Sequence, residues 1–175
     1  VVDVAEEAGV TALGSNSTGA VACDIDNDGY QDLYVGSWGD PSDGLDFRSS
    51  SDGQGNKDHL FLNLRDGTFR DITDLAFGDA VNLRSAASIA CADVDGDGWL
   101  DIYVGNLGDN DFRKFNSPSH PGHYNLLYRN NGDLTFTEVA EQAGVRGHQI
   151  LMRDVGGQPI LFEDPDTGEQ YEGWD

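Results

Sequence analysis

Asp24-Ile25-Asp26-Asn27-Asp28-Gly29-Tyr30-Gln31-Asp32-Leu33-Tyr34-Val35-Gly36 recurs 69 residues later as Asp93-Val94-Asp95-Gly96-Asp97-Gly98-Trp99-Leu100-Asp101-Ile102-Tyr103-Val104-Gly105. Each copy places carboxylates at its first, third, fifth and ninth positions. That set suits a hard cation, and calcium best, because calcium accepts about six to eight oxygens at loose geometry whereas magnesium demands a strict octahedron. A site used twice at a fixed spacing also implies a repeated structural unit.

Within the first copy, the alternation of Asp24, Asp26 and Asp28 lets a tight loop turn all three toward one centre. Gly29 permits the sharp turn that follows. The Tyr30 carbonyl and the Asp32 carboxylate complete the expected protein ligands. Asp93, Asp95, Asp97, the Trp99 carbonyl and Asp101 repeat the set, which makes two calcium sites. A helix–loop–helix calcium loop would need a bidentate glutamate at its twelfth position. This chain has Val35 and Val104 there, and strand-like flanks. The competing reading is an acidic surface turn without metal, against which the second matching copy weighs.

The chain has 175 residues, enough for one domain with a core, and 32 acidic residues face 10 basic ones for a net charge of −22. Nucleic acid and bare anionic membrane are excluded as partners, since both need a basic surface. No apolar run approaches the roughly 18 residues of a membrane span, so no membrane insertion is expected. No secretory leader is visible and Val1 is not an initiator methionine, so a processed product or an excerpt is expected.

Short apolar runs alternate with Gly, Asn and Asp clusters, the pattern of many short strands. Around each aspartate loop four strands are expected. The first is small and apolar, at 18–23 and 86–91, and the second follows the loop at 33–36 and 102–105. After a long polar loop (37–58 and 106–123) come a third strand at 59–63 and 125–129, a tight turn at 65–68 and 130–135, and a fourth strand at 69–73 and 136–140. A four-stranded antiparallel unit of this kind is a propeller blade. The expected fold is therefore all-β, with blade 1 over 17–78 and blade 2 over 85–145. Residues 1–10 match 136–145 at six of ten positions, so they read as an orphan fourth strand. The β-rich tail 147–175 holds about three strands, at 148–155, 159–163 and 169–174, a partial third blade.

Cys23 aligns with Ala92, and Cys91 with Ala22. One position out of register, the two cysteines point to opposite faces of their own units. If the units stack side by side, a Cys23–Cys91 disulfide would form across the junction; two small buried thiols are the alternative.

The run Asp-x-Asp-x-Asp-Gly-x-x-Asp-Leu/Ile-Tyr-Val, followed by Asn-Leu-Leu-Tyr-Arg-Asn-Asn-Gly (125–132) and Phe-Thr-Glu-Val-Ala (136–140), resembles the FG-GAP/VCBS-type repeat. That family includes the integrin α-subunit propeller. The likeness is closer to cartilage-acidic-protein-like secreted repeat proteins, which share the Asn-Asn-Gly turn and an ending similar to Glu-x-Ala-Gly-Val. The resemblance spans residues 1–145. It implies a β-propeller, structural calcium at both loops, a secreted or cell-surface location, and adhesion, ligand binding or scaffolding rather than catalysis.

Other motifs carry less. His120 and His123 lack the three or four ligands of a zinc site, and His59 and His148 stand apart. Ser15 and Ser17 have no nucleophile-elbow context, and 14–19 lacks the lysine of a phosphate loop. No enzyme is expected. Asn16-Ser17-Thr18 is an N-glycosylation sequon, which would make the protein a glycoprotein. Trp38, Phe47, Phe112 and Phe115 lie in the long loops, where extracellular protein or glycan ligands would bind unless these aromatics fold back as local core. Asp40, Asp43, Asp46, Asp109 and Asp111 are weaker calcium candidates.

Two blades and parts of a third cannot close a ring of about four to eight blades. The expected partners are therefore copies of the chain joined head to tail, as a filament or ring, or further blades of a larger propeller. In the first case residues 1–4 of one subunit would complete the blade begun by 148–174 of the next.

Overall fold

Residues 1–11, 17–37, 57–84, 86–106, 124–147, 158, 161–163 and 170–172 are described by the structure, a computed structural model. Two four-stranded antiparallel sheets dominate it. The first contains β1 (Ser17–Cys23), β2 (Asp32–Ser37), β3 (His59–Asn63) and β4 (Phe69–Asp71), paired in sequence order. β5 (Ala86–Ala92), β6 (Asp101–Asn106), β7 (Leu126–Asn130) and β8 (Phe136–Glu138) repeat that order in the second. Sequence order of pairing is the meander of a propeller blade, and the blades are incomplete as a propeller. Cys23 faces Asp32 and Ala92 faces Asp101 in the ladders, so each aspartate loop is the hairpin connection between its blade's first two strands. A further antiparallel pair, β9 (Leu161–Glu163) and β10 (Gln170–Glu172), lies in the tail 147–175, where the expected strand at 148–155 falls outside the described residues.

Fourth strands end sooner than the sequence pattern suggests. β4 stops at Asp71, and Thr73–Phe77 wind into a short helix, followed by a 3-10 turn at Gly78–Ala80. The Asp71 carboxylate causes the stop, accepting from the Thr73 amide at 2.9 Å as an Asx turn does. In blade 2 the Glu138 carboxylate takes the Ala140 amide at 2.7 Å in the same place. At the start of the chain Asp3 takes the Ala5 amide at 3.0 Å, and Ala5–Ala8 form a helical turn.

Residues 1–10 thus share the turn geometry of 136–145. The bonds Ala8 N to Val4 O, Gly9 N to Glu6 O and Val10 N to Ala5 O repeat as Ala143 N to Val139 O, Gly144 N to Glu141 O and Val145 N to Ala140 O. Residues 1–4, expected as an orphan strand, are exposed and pair with no strand among the described residues.

The two blades share one core. Tyr34, Leu60, Leu62, Ile72 and Phe77 of the first cluster with Ile102, Val104, Leu126, Tyr128 and Phe136 of the second. Phe77 is the wedge, with its ring centre 5.9 Å from Tyr34, 4.5 Å from Tyr128 and 5.2 Å from Phe136. Gly36 lets the sheets close. A Cβ there would lie 2.8 Å from Ala86 Cβ and 2.9 Å from Ile89 Cδ1. Cys23 and Cys91 are joined in a disulfide across the junction, and among the described residues no free cysteine remains.

Polar bonds complete the seam. Thr18 Oγ1 donates to Ala86 O at 2.7 Å and Tyr128 OH to Ala80 O at 2.7 Å. Buried Asp58 accepts from Tyr34 OH, the Ser37 amide and Asn82 Nδ2 at 2.7–2.8 Å, while Asn82 also donates to Asn106 Oδ1 at 2.9 Å. Burial pushes the Asp58 carboxyl up to about 7, against the pull of Asn82, Ser37 and Tyr34.

Candidate metal centres

Both aspartate loops wind their backbone amides around their own first carboxylate. Asp24 accepts from Asp28 N at 3.0 Å and Gly29 N at 2.9 Å. Asp93 accepts from Gly96 N, Asp97 N and Gly98 N at 2.8–3.1 Å. Asp26 takes Asp28 N at 3.2 Å and Asp95 takes Asp97 N at 3.2 Å. Asp28 takes Tyr30 N at 2.8 Å and Asp97 takes Trp99 N at 2.9 Å. Gly29 and Gly98 have φ near +90°, which lets the loop reverse after the third carboxylate.

The ninth positions play a bracing part. Asp32 is 2% exposed; its Oδ1 accepts the Asn63 amide at 2.7 Å and its Oδ2 the Ile25 amide at 3.0 Å. Asp101 does the same with Asn130 N at 2.9 Å and Val94 N at 2.9 Å. Each therefore ties its loop to the third strand of its blade. Burial raises the Asp32 pKa, with the two amides pulling it back down.

Carboxylates converge in both loops, with different members. In the first, Asp24, Asp26 and Asp28 each bring an oxygen within 4.8 Å of the others; in the second, Asp93, Asp95 and Asp101 do. Burial and then the neighbouring Asp28 charge raise the Asp26 pKa, as like charges at close quarters must. An all-oxygen donor set of this kind fits a hard divalent cation. Of the expected ligands, Asp32 stands outside the first cluster and Asp97 outside the second. Tyr30 and Trp99 follow directly on the two glycine turns.

The loops also touch one another. Asn27 Nδ2 donates to the Gly98 carbonyl at 3.0 Å. Arg65 enters the first loop and pairs through Nε with Asp28 Oδ2 at 2.6 Å. Both residues escaped the sequence reading. Their signal lay in the mismatches between repeats: Asn27 aligns with Gly96, and Arg65 with Gly132.

His59 lies beside Asp71, with Nδ1 2.9 Å from its carboxylate. His120, His123 and His148, the sequon residue Asn16, the loop aromatics Trp38, Phe47, Phe112 and Phe115, and the extra acids at 40, 43, 46, 109 and 111 lie outside the described residues. No helix among the described residues is long and apolar enough to cross a membrane.

Residues 45–104 match the FG-GAP-like repeat. The match starts ahead of the third strand of blade 1 and runs through the second aspartate loop, so it straddles the seam. Over 101 residues, 54% of this chain, the sequence is 33% identical to Cartilage acidic protein 1 of Xenopus tropicalis. The chain spans 14% of the length of that curated relative.

Proposed function

We propose that this FG-GAP-like repeat chain is a calcium-stabilised structural and adhesive module of the extracellular space. The observation that carries the reading is the pair of equivalent hairpin loops, each gathering three carboxylates within 4.8 Å of one another. Charges held that close repel, and a divalent cation turns the repulsion into attraction. Asp24, Asp26 and Asp28 hold it in the first loop and Asp93, Asp95 and Asp101 in the second. Asp32, Asp97 and the carbonyls of Tyr30 and Trp99 are in sequence to add oxygens. Calcium supplies no chemistry here beyond neutralising the cluster and pinning the first two strands of each blade. The disulfide at the seam supports an oxidising, extracellular setting. We read the module as a non-enzyme, in keeping with the FG-GAP-like repeat.

The blades leave faces and edges that need cover. We infer that copies join head to tail by strand donation, residues 1–4 of one copy adding to the sheet that contains β9 and β10 in the next. The exposure of residues 1–4 supports this. A second reading is favoured by the 14% span of the relative: the blades belong to a larger secreted or cell-surface propeller, whose other blades cover these faces and whose loops bind an extracellular protein or glycan.

Thermal unfolding in calcium and in chelator tests the metal reading, since a ligand of the folded state alone raises its stability. A melting temperature indifferent to millimolar calcium overturns it. Electron microscopy and light scattering test the assembly. Calcium-dependent filaments or rings are expected, and deletion of residues 1–5 should abolish them. Assembly unchanged by the deletion rules out strand donation, and a monomer in calcium favours the larger propeller.

A further inference from the structure

Arg65 stands where the second blade has Gly132, in the turn between third and fourth strands. Both residues have positive φ, 66° and 77°. Glycine adopts that conformation freely and a residue with a side chain does so at a cost. In blade 2 the glycine is required twice over, because a Cβ at Gly132 would lie 2.8 Å from the Trp99 ring. In blade 1 Tyr30 replaces Trp99 and the turn accommodates an arginine.

That arginine reaches the first aspartate loop. Its guanidinium lies 6.0 Å from the centre of the Tyr30 ring, and its Nε donates to Asp28 Oδ2 at 2.6 Å. Asp28 is a member of the converging carboxylate cluster. In the second loop Asp97 accepts the Trp99 amide, and no basic side chain pairs with it among the described residues.

We propose that Arg65 is a built-in competitor for the cation at the first aspartate loop, making that loop the weaker and more salt-sensitive of the two. The proposal rests on the calcium reading above. A cation that takes Asp28 Oδ2 must displace the guanidinium or share the carboxylate with it. Either way it meets a loop whose charge is already partly neutralised. Among the described residues the second loop has no such resident. Calcium then fills the loops in order, the second before the first, and the first responds over a higher range of concentration. The freed guanidinium has the Tyr30 face to rest on.

Calorimetric calcium titration of the full chain tests this, with Arg65→Gly and Arg65→Asn compared with the parent in an Asp95→Asn background that disables the second loop. Both replacements tolerate positive φ. Each should tighten the remaining site roughly two- to fivefold, the usual range for an ion pair with one exposed partner, and the gain should shrink as salt rises. Unchanged or weaker binding overturns the proposal and makes Arg65 a support for Asp28. The same titration in an Asp26→Asn background, which disables the first loop instead, reads the second loop and should not respond to Arg65→Gly. Equal tightening at both loops would mark a general effect on the fold and also overturn the proposal. If the parent chain takes up no calcium at either loop, the calcium reading itself falls.

Discussion

Asn130 Nδ2 donates to the backbone carbonyl of Ile25 at 2.8 Å, a bond between residues 105 apart that pegs the second blade to the base of the first aspartate loop. The same amide donates to Leu100 O at 3.1 Å, and its Oδ1 accepts Gly132 N at 2.9 Å. Asn63 is its counterpart in blade 1 and makes the equivalent bonds to Gln31 O and Arg65 N, both within the blade. Asn130→Ala should therefore cost about 2–3 kcal/mol, because it strands buried partners on two blades. Asn63→Ala should cost about 1 kcal/mol, its partners being exposed to water. Urea denaturation of the two variants measures the gap.

The Cys23–Cys91 bridge closes a segment of 68 residues and sits at the seam. Removing it as the Cys23→Ala, Cys91→Ala pair should cost about 2–4 kcal/mol. Native protein should resist alkylation until reductant is added, and mass spectrometry of labelled and unlabelled samples reads this directly.

Glycines in the inner strands differ in what surrounds them. Gly36→Ala drives a methyl into Ala86 and Ile89 of the next sheet and should cost about 1–3 kcal/mol. Gly19→Ala, with nothing within 4 Å, should stay within about 0.5 kcal/mol of the parent. Melting temperatures of the two proteins suffice to compare them.

Asp58 titrates near 7 in the fold, against an ordinary value of 3.8. The folded state therefore holds a proton that the unfolded chain has already released between those values, and stability falls as pH rises through that window. Relative to Asp58→Asn, which cannot titrate, the parent should lose stability from about pH 4 to about pH 7 and level off above. Denaturation curves at several pH values give the difference directly, and a flat difference would refute it.

Much of this was legible in the sequence, and for a physical reason. The alternating apolar runs and the doubled aspartate loops each dictate local geometry, so β1 to β3 and β5 to β7 fall within a residue of the expected bounds. The cysteine offset showed which faces meet. The misjudged endings of the fourth strands have an equally local cause. Asp71 and Glu138 look like ordinary strand residues until their carboxylates turn back on the amide two residues ahead. Arg65 and Asn27 were passed over because their importance lies in contacts across 37 and 71 residues, marked in the chain only by the mismatches between the two repeats.

The placement of Phe77 has a consequence for how such a chain can be divided. Its helix follows blade 1 in the chain, yet its ring lies against Tyr128 and Phe136 of blade 2. At the start of the chain a Cβ on Gly9 would lie 2.8 Å from the Phe69 carbonyl, so the opening helical turn leans on blade 1 in the same way. The unit that pairs and the unit that packs are out of phase by one short helix. A fragment cut at the margins of a sheet would carry every ladder bond it needs and still lack its buttress, whereas a cut ahead of Thr73 would deliver the second sheet with that buttress attached.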